Sequence, residues 1–300
     1  MKWQLFVRLA VVTAVTTVTT GAAVAVSGAD AAGAAEPARV FAPGVISTEV
    51  EEYRIVFDAG GNTAYFGRSQ EFFPAARQAT IMVTHKTDGV WCPPVPAPFS
   101  GVHSDLDPFV TPDGGKLFFS SIRPVGGVPR TDVDLWVVDR VRDGWGEPRH
   151  LGAVNSEADE LYPSVAADGT LYFASDRTGG FDIYRSRPLP DGTYGPAENL
   201  GAPINTGAWE FNPVVLPAGD VLLFTGLNRD GGAGLGDIWA SFRGRTGWST
   251  PKPLGGAINT AADEYHLSFS PRYDRVYFVR HTYDPWVPGD IYTLPVWRLL

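Results

Sequence analysis

ADELYPSVAADGTLYFASDRTGGFDIYRSRPLPDGTYGPAENLGAPINT, residues 158–206, reads as four short strands written in one line. Tyr162 to Ala166 is short and apolar. Asp168-Gly169 is a hairpin turn signal, and Thr170 to Ser175 is the second strand. Gly179-Gly180 turns the chain again before a third strand from Asp182 to Ser186. Asp191-Gly192 makes the last turn, and Tyr194 to Leu200 leads through the fourth strand. No segment of the chain shows sustained helical periodicity.

The same line is written five times. Each copy opens on an acid: Glu52, Asp105, Glu160, Glu210 and Glu264, at gaps of 53, 55, 50 and 54 residues. A Phe follows 13 or 14 residues later each time: Phe66, Phe119, Phe173, Phe224 and Phe278. Third strands read DLW at Asp134, DIY at Asp182, DIW at Asp237 and DIY at Asp290. Fourth strands pair an aromatic residue with Pro: Trp91 with Pro93, Trp145 with Pro148, Tyr194 with Pro196 and Trp248 with Pro251. Linkers reading VNS, INT and INT follow around Asn155, Asn205 and Asn259. A period near fifty residues marks a unit that cannot bury its apolar face alone. Four short antiparallel strands per unit describe a propeller blade. The expected fold is all-β, a five-bladed β-propeller.

The ends fit closure. The last copy stops at Trp297-Arg298-Leu299-Leu300 with no fourth strand of its own. The segment RVFAPGVIST, Arg39 to Thr48, aligns with the missing fourth strand and its linker. The N-terminal segment is therefore expected to complete the last blade, leaving no open sheet edge.

The run from Pro163 to Arg177, the DIY strand and the Gly201–Thr206 linker resemble the TolB-type β-propeller repeat, the WD-repeat-like blade of exported bacterial proteins. The resemblance covers about residues 38–300. It implies the fold and leaves the activity open, since propellers host unrelated functions. Blades of this type usually assemble in sixes, so five is a departure.

Lys2 and Arg8 precede an apolar stretch from Leu9 to Val26. Ala23-Val24-Ala25 and Ala29-Asp30-Ala31 both fit a signal-peptidase site. Residues 1–36 read as a signal peptide and lead-in, and 37–300 as one propeller domain. The implied location is secreted, or periplasmic and cell-envelope, with no stable membrane insertion after cleavage. The rival reading of the stretch is an uncleaved anchor. With one cysteine, Cys92, an intramolecular disulfide is impossible, so burial must supply the stability. Removing Lys2, Arg8 and Asp30 from 24 basic and 33 acidic residues leaves a net charge of −10. An acidic chain without a Lys/Arg cluster argues against nucleic acid and anionic membranes. No GxSxG, HExxH, P-loop or dinucleotide motif appears.

Residues common to all copies read as blade construction. The DIY aspartates are expected to accept hydrogen bonds from turns or from arginines such as Arg177, and the opening acids to tie linker to strand. Function is sought where copies differ. Two residues after each opening acid stand Arg54, Asp107, Tyr162, Asn212 and His266, bordering the central channel. Such a ring could clamp a polar ligand, with Arg54 pairing an anion and Asp107 or His266 moving a proton. The bland alternative is water-filled channel lining. His103, Asp105 and Asp107 alternate along one strand face. They are weak candidates for a divalent cation, because i to i+4 in a strand spans roughly 13 Å. No cofactor is otherwise called for. The irregular segments Glu71 to Gln78, Cys92 to Gly101 and His281 to Gly289 are candidate binding loops.

Three functions follow. The first is a monomeric exported propeller that binds a partner protein or small polar ligand at its channel mouth. The second is a hydrolase, lyase or cyclase using Asp107, His266 and Arg54. The third is a structural cell-envelope role.

Overall fold

The computed structural model describes residues 37–299. The export-signal reading falls on residues outside this range. The described chain forms five small antiparallel sheets, one per sequence copy. Blade 3 runs from its inner strand Glu160–Val165 through Leu171–Ser175 and Asp182–Ser186 to Glu198–Asn199 at the rim. In blades 1, 2 and 4 the outermost strand splits into two short pieces, such as Gly144–Trp145 and Arg149–His150. A proline between the pieces, Pro148 in blade 2, cannot donate to the ladder, which confines it to this edge. No described helix is long and apolar enough to cross a membrane.

Closure occurs as the sequence implies. Arg39–Val40 pairs with Trp286–Pro295, with Arg39 opposite Thr293 and Val40 opposite Tyr292. Linker Asn155, Asn205 and Asn259 each bracket one third-strand residue, bonding both its N–H and its C=O: Leu135, Ile183 and Ile238. In the closing blade Ser47 does the same to Ile291 through its hydroxyl, at 3.3 Å and 3.1 Å. Ile46-Ser47-Thr48 thus occupies the place of the Ile-Asn-Thr linker.

Five apolar clusters fill the five seams between blades, and each contains one of the five repeated phenylalanines: Phe66, Phe119, Phe173, Phe224 and Phe278. All five are at most 1% exposed. An arginine lies over each ring, from Arg123 at 4.9 Å on Phe119 to Arg177 at 5.7 Å on Phe173. The same arginines, Arg68, Arg123, Arg177, Arg229 and Arg280, pair with the five opening acids. They also donate to carbonyls of the preceding linker, as Arg177 does to Val154. In four blades the acid also accepts from the N–H and hydroxyl of a Ser or Thr four residues earlier. Asp105 uses Ser100 instead.

One expectation needs correction. Arg177 serves Glu160 and not a DIY aspartate. Asp182 accepts instead from Thr178 and Asn199, and Asp237 from the Ala233 and Gly234 amides. The guanidinium must span the opening acid, the Phe face and the linker carbonyl, which fixes it at the inner strand.

The turn between the second and third strands of blade 4 is packed without spare room. A Cβ placed on Gly234 would overlap the Ala262 and Thr260 carbonyl oxygens of blade 5. Gly234→Ala should destabilise the fold by about 2 kcal/mol or more, measured by denaturant melting. An unchanged midpoint would show that the seam can open there.

Candidate functional site

Each inner strand carries a β-bulge at the ring position. In blades 2 to 5 the bulge residue has a left-handed backbone: Asp107, Tyr162, Asn212 and His266 have φ between 52° and 61°. Asp, Asn and His adopt this region more readily than most residues, whereas for a bulky Tyr it is strained. Blade 1 has a shorter bulge, and its Arg54 is not left-handed. The bulge turns these side chains into the channel and interrupts the ladder there.

The ring closes the channel to form a septum. Arg54, Asp107, Asn212 and His266 are at most 4% exposed. His266 Nε2 lies 3.1 Å from Asp107 Oδ1, though the pair lacks the angle of a good hydrogen bond. The Tyr162 ring packs at 5.4 Å from the His266 ring. Arg54 Nη1 donates to the Pro163 carbonyl at 2.8 Å. Burial lowers the Arg54 pKa to about 10, partly offset by Asp107, so it stays cationic at neutral pH. Burial also pushes the His266 pKa down, with Asp107 opposing, which favours the neutral imidazole. Both Asp107 oxygens, both Asn212 amide atoms and both His266 nitrogens are buried without a hydrogen-bond partner.

The septum divides two mouths. The turn-side mouth, about 170 Å³, is lined by Arg54 with residues such as Val56, Val165 and Val214 and by the first hairpin turns. The linker-side mouth is larger, about 290 Å³, and is dominated by aromatic rings. Blade 1 gives Tyr53, Phe72 and Phe73; blade 3 gives Tyr162 and Phe181; blade 4 gives Trp209 and Phe211; blade 5 gives Tyr265 and Tyr283. Leu106, Leu227, His266 and Asp263 complete the lining. Phe72 and Phe73 sit on the short helix Phe73–Ala76 and its N-cap, held over the mouth in two ways. The Phe73 N–H donates to Tyr53 Oη at 2.8 Å. Arg77 reaches across to Asp159 in blade 3 at 2.7 Å and to the Thr131 carbonyl. Trp209 and Tyr283 remain nearly half exposed at the rim.

Asp263 is the single formally charged side chain, apart from any protonated His266, among the described residues lining this mouth. It is 5% exposed, and its Oδ2 accepts from the Tyr283 hydroxyl at 3.0 Å. Burial raises its pKa to about 6, with the Tyr283 bond opposing. A folded-state pKa above the unfolded value means that the folded chain holds a proton the unfolded chain releases. Stability is then lost as pH rises through about 4 to 6. Asp263→Asn should flatten this dependence and gain roughly 2 kcal/mol at pH 7, read from melts between pH 4 and 8. A variant less stable than the parent at pH 7 would contradict this.

The ring residues named from sequence therefore do not face one ligand. Arg54 opens to the turn-side mouth, Tyr162 and His266 to the aromatic one, and Asp107 lines neither. His103 is a correction. It is exposed in a groove between blades 1 and 2, away from the channel. Asp105 is committed to Arg123, Ser121 and Ser100. His103, Asp105 and Asp107 are thus not brought together, and no group of three or more metal-ligating side chains occurs among the described residues. Six mouth residues missed in the sequence, Tyr53, Leu106, Trp209, Phe211, Asp263 and Tyr265, stand one before or one after an opening acid. Across the copies those positions read Glu51, Ser104, Asp159, Trp209, Asp263 and Tyr53, Leu106, Leu161, Phe211, Tyr265.

No protein-family model matches the chain, and no curated protein does. Solved structures do match. A TolB candidate from Agrobacterium tumefaciens is 18% identical, over 78% of this chain and 72% of that one, with a TM-score of 0.51. An endo-arabinanase from Bacillus licheniformis is 13% identical, over 84% and 95%, with a TM-score of 0.52. The arabinanase Arb43A of Bacillus subtilis is 12% identical, over 83% and 95%, with a TM-score of 0.53. At these identities the likeness speaks to architecture: this is a five-bladed β-propeller consistent with the TolB type. Its structural relatives thus include arabinanases beside the TolB candidate.

Proposed function

We propose that the chain is an exported, non-catalytic binding module that takes a ligand, or an exposed group of a partner protein, into its linker-side mouth. The observation that carries this reading is the convergence of nine aromatic rings from four blades on one cavity. Rings of that size bury large apolar areas, and Trp and Tyr recur at recognition sites for that reason. A concave, mostly apolar pocket with a few placed polar groups is the usual form of a ligand site.

Two features count against an enzyme in the channel. The anion clamp and the acid–base pair are split between two mouths, so no substrate atom meets both. Glycoside hydrolysis, the chemistry named for the arabinanases, uses two carboxyl groups flanking the bond. Among the described lining residues the aromatic mouth offers one, Asp263.

Capture from cell-envelope extract or growth medium tests the reading. The immobilised wild-type chain should retain a species that a Phe72→Ala/Trp209→Ala variant loses. Both positions are partly exposed, so the variant should fold. The retained species should elute chemically unchanged. Equal retention by the variant would place binding elsewhere, and steady conversion of the species would favour catalysis.

A further inference from the structure

Building on the proposed binding role of the linker-side mouth, we propose that the group it accepts is an organic ammonium cation. The walls are aromatic faces, which attract cations through their quadrupoles. Elsewhere in the molecule such faces are already covered: arginines lie over the five seam phenylalanines and over Trp136, Trp145, Trp239 and Trp248. Of the nine mouth rings only Phe73 has such a cover among the described residues, from Arg77 at 5.7 Å. The other eight rings carry no cation from the chain among the described residues; they pack on one another or against His266 and His281, as Tyr162 does on Phe211 and Tyr283 on His281.

The charge has the right sign. Asp263 is buried in the wall, its Oδ1 packed against the Gly236 backbone and its Oδ2 bonded by the Tyr283 hydroxyl, with His281 Nδ1 at 3.7 Å. Glu51, 2% exposed, accepts from the Gly289 amide at 2.9 Å. Both carboxyls act electrostatically on the Tyr265 hydroxyl, which is itself buried and unpartnered. The buried arginine of the septum, Arg54, opens to the opposite mouth. An anion would meet Asp263 with no lining cation to offset it. A neutral apolar group would leave the carboxylate charge without a counter-ion at the mouth. A cation answers the carboxylate charge and the aromatic walls together.

The test uses an isosteric pair on the full chain. Choline and 3,3-dimethylbutan-1-ol have the same shape and differ in charge. Binding is followed by the fluorescence of the rim Trp209, with a Trp209→Leu variant assigning the signal, and by calorimetry. Choline should bind at least about ten-fold more tightly than the alcohol, a difference of ~1.4 kcal/mol. Asp263→Asn, which should fold because it relieves a buried carboxylate, should erase that preference, and thermal melting checks its fold. A peptide carrying trimethyllysine distinguishes the sources. Tighter binding of the peptide than of choline indicates a partner side chain, and the reverse indicates a free small molecule. Equal binding of choline and the alcohol would overturn the cation while leaving the mouth as a binding site. No binding of choline or the peptide at millimolar concentration would also overturn it. The mouth itself is then judged separately by the capture comparison.

Discussion

Deleting residues 38–48 should abolish cooperative folding, giving a chain that melts without a sharp transition or aggregates on expression. The segment supplies the fourth strand of the last blade and a linker equivalent, so its loss bares the edge of Trp286–Pro295 and unties the linker. It also removes Ile46, which is fully buried. The Phe41 amide bond to Ile291, both Ser47 bonds to Ile291 and both Thr48 bonds to Glu52 go with it. Arg68 loses its Val45 and Ile46 carbonyls. Burial of one Ile contributes about 2 kcal/mol and each hydrogen bond roughly 1 kcal/mol, so the loss is on the order of 5 kcal/mol or more. That is comparable with the whole stability of a typical domain, about 5–15 kcal/mol. Calorimetry of the deleted and full chains decides. An unchanged transition would mean that the propeller closes without this strand.

The second large effect is expected at the repeated acid–arginine clamp. Glu210→Ala should cost about 3–5 kcal/mol, a fall in Tm of roughly 10 °C. Glu210 is fully buried, and Arg229 beside it is 10% exposed on its side chain. Removing the acid strands a buried guanidinium that also holds the Ile204 and Pro203 carbonyls. The Thr206 N–H and hydroxyl lose their acceptor as well. Burial raises the pKa of Glu210 and works against the pair, while Thr206 and Arg229 oppose that. The clamp is therefore more a device of register than a large net source of stability. Glu210→Gln, which keeps an acceptor for Thr206, should cost less than the Ala variant. A loss below about 1 kcal/mol for Glu210→Ala would show that the pair behaves like an exposed ion pair.

The blade was legible because its construction repeats. One Phe must seal each seam and one acid must hold each linker, so every copy carries those letters, while an Asn brackets three of the third strands and a Ser stands in its place in the other two. The blade count and the swap at the closing blade followed from the same letters, including the reading of Ile46-Ser47-Thr48 as a linker. The partner of Arg177 was not legible. Pairing depends on which strand the guanidinium crosses, and Glu160 and Asp182 both lie within a few residues of suitable turns.

The channel was half legible. The ring positions could be found by aligning the copies, but their left-handed bulges could not. Four of the five are left-handed; Arg54, on the one that is not, opens to the mouth opposite the one His266 lines. The aromatic mouth was harder still. It draws on the positions flanking the opening acids, on Phe181 and on loops such as Glu71 to Gln78, where the copies disagree and no period guides the eye. The loops were noted as irregular, yet nothing in the sequence places Phe72, Trp209 and Tyr283 around one cavity.

Hydrogen exchange of the full chain, with and without the species retained by the wild-type protein, tests the central claim most directly. Exchange should slow at residues 51–53, 71–78, 209–211 and 263–266, around the linker-side mouth, and stay unchanged at the far ends of the inner strands. Protection confined to residues 57–59, 111–112 and 270–273 at the turn-side mouth, or to the groove around His103, would contradict it.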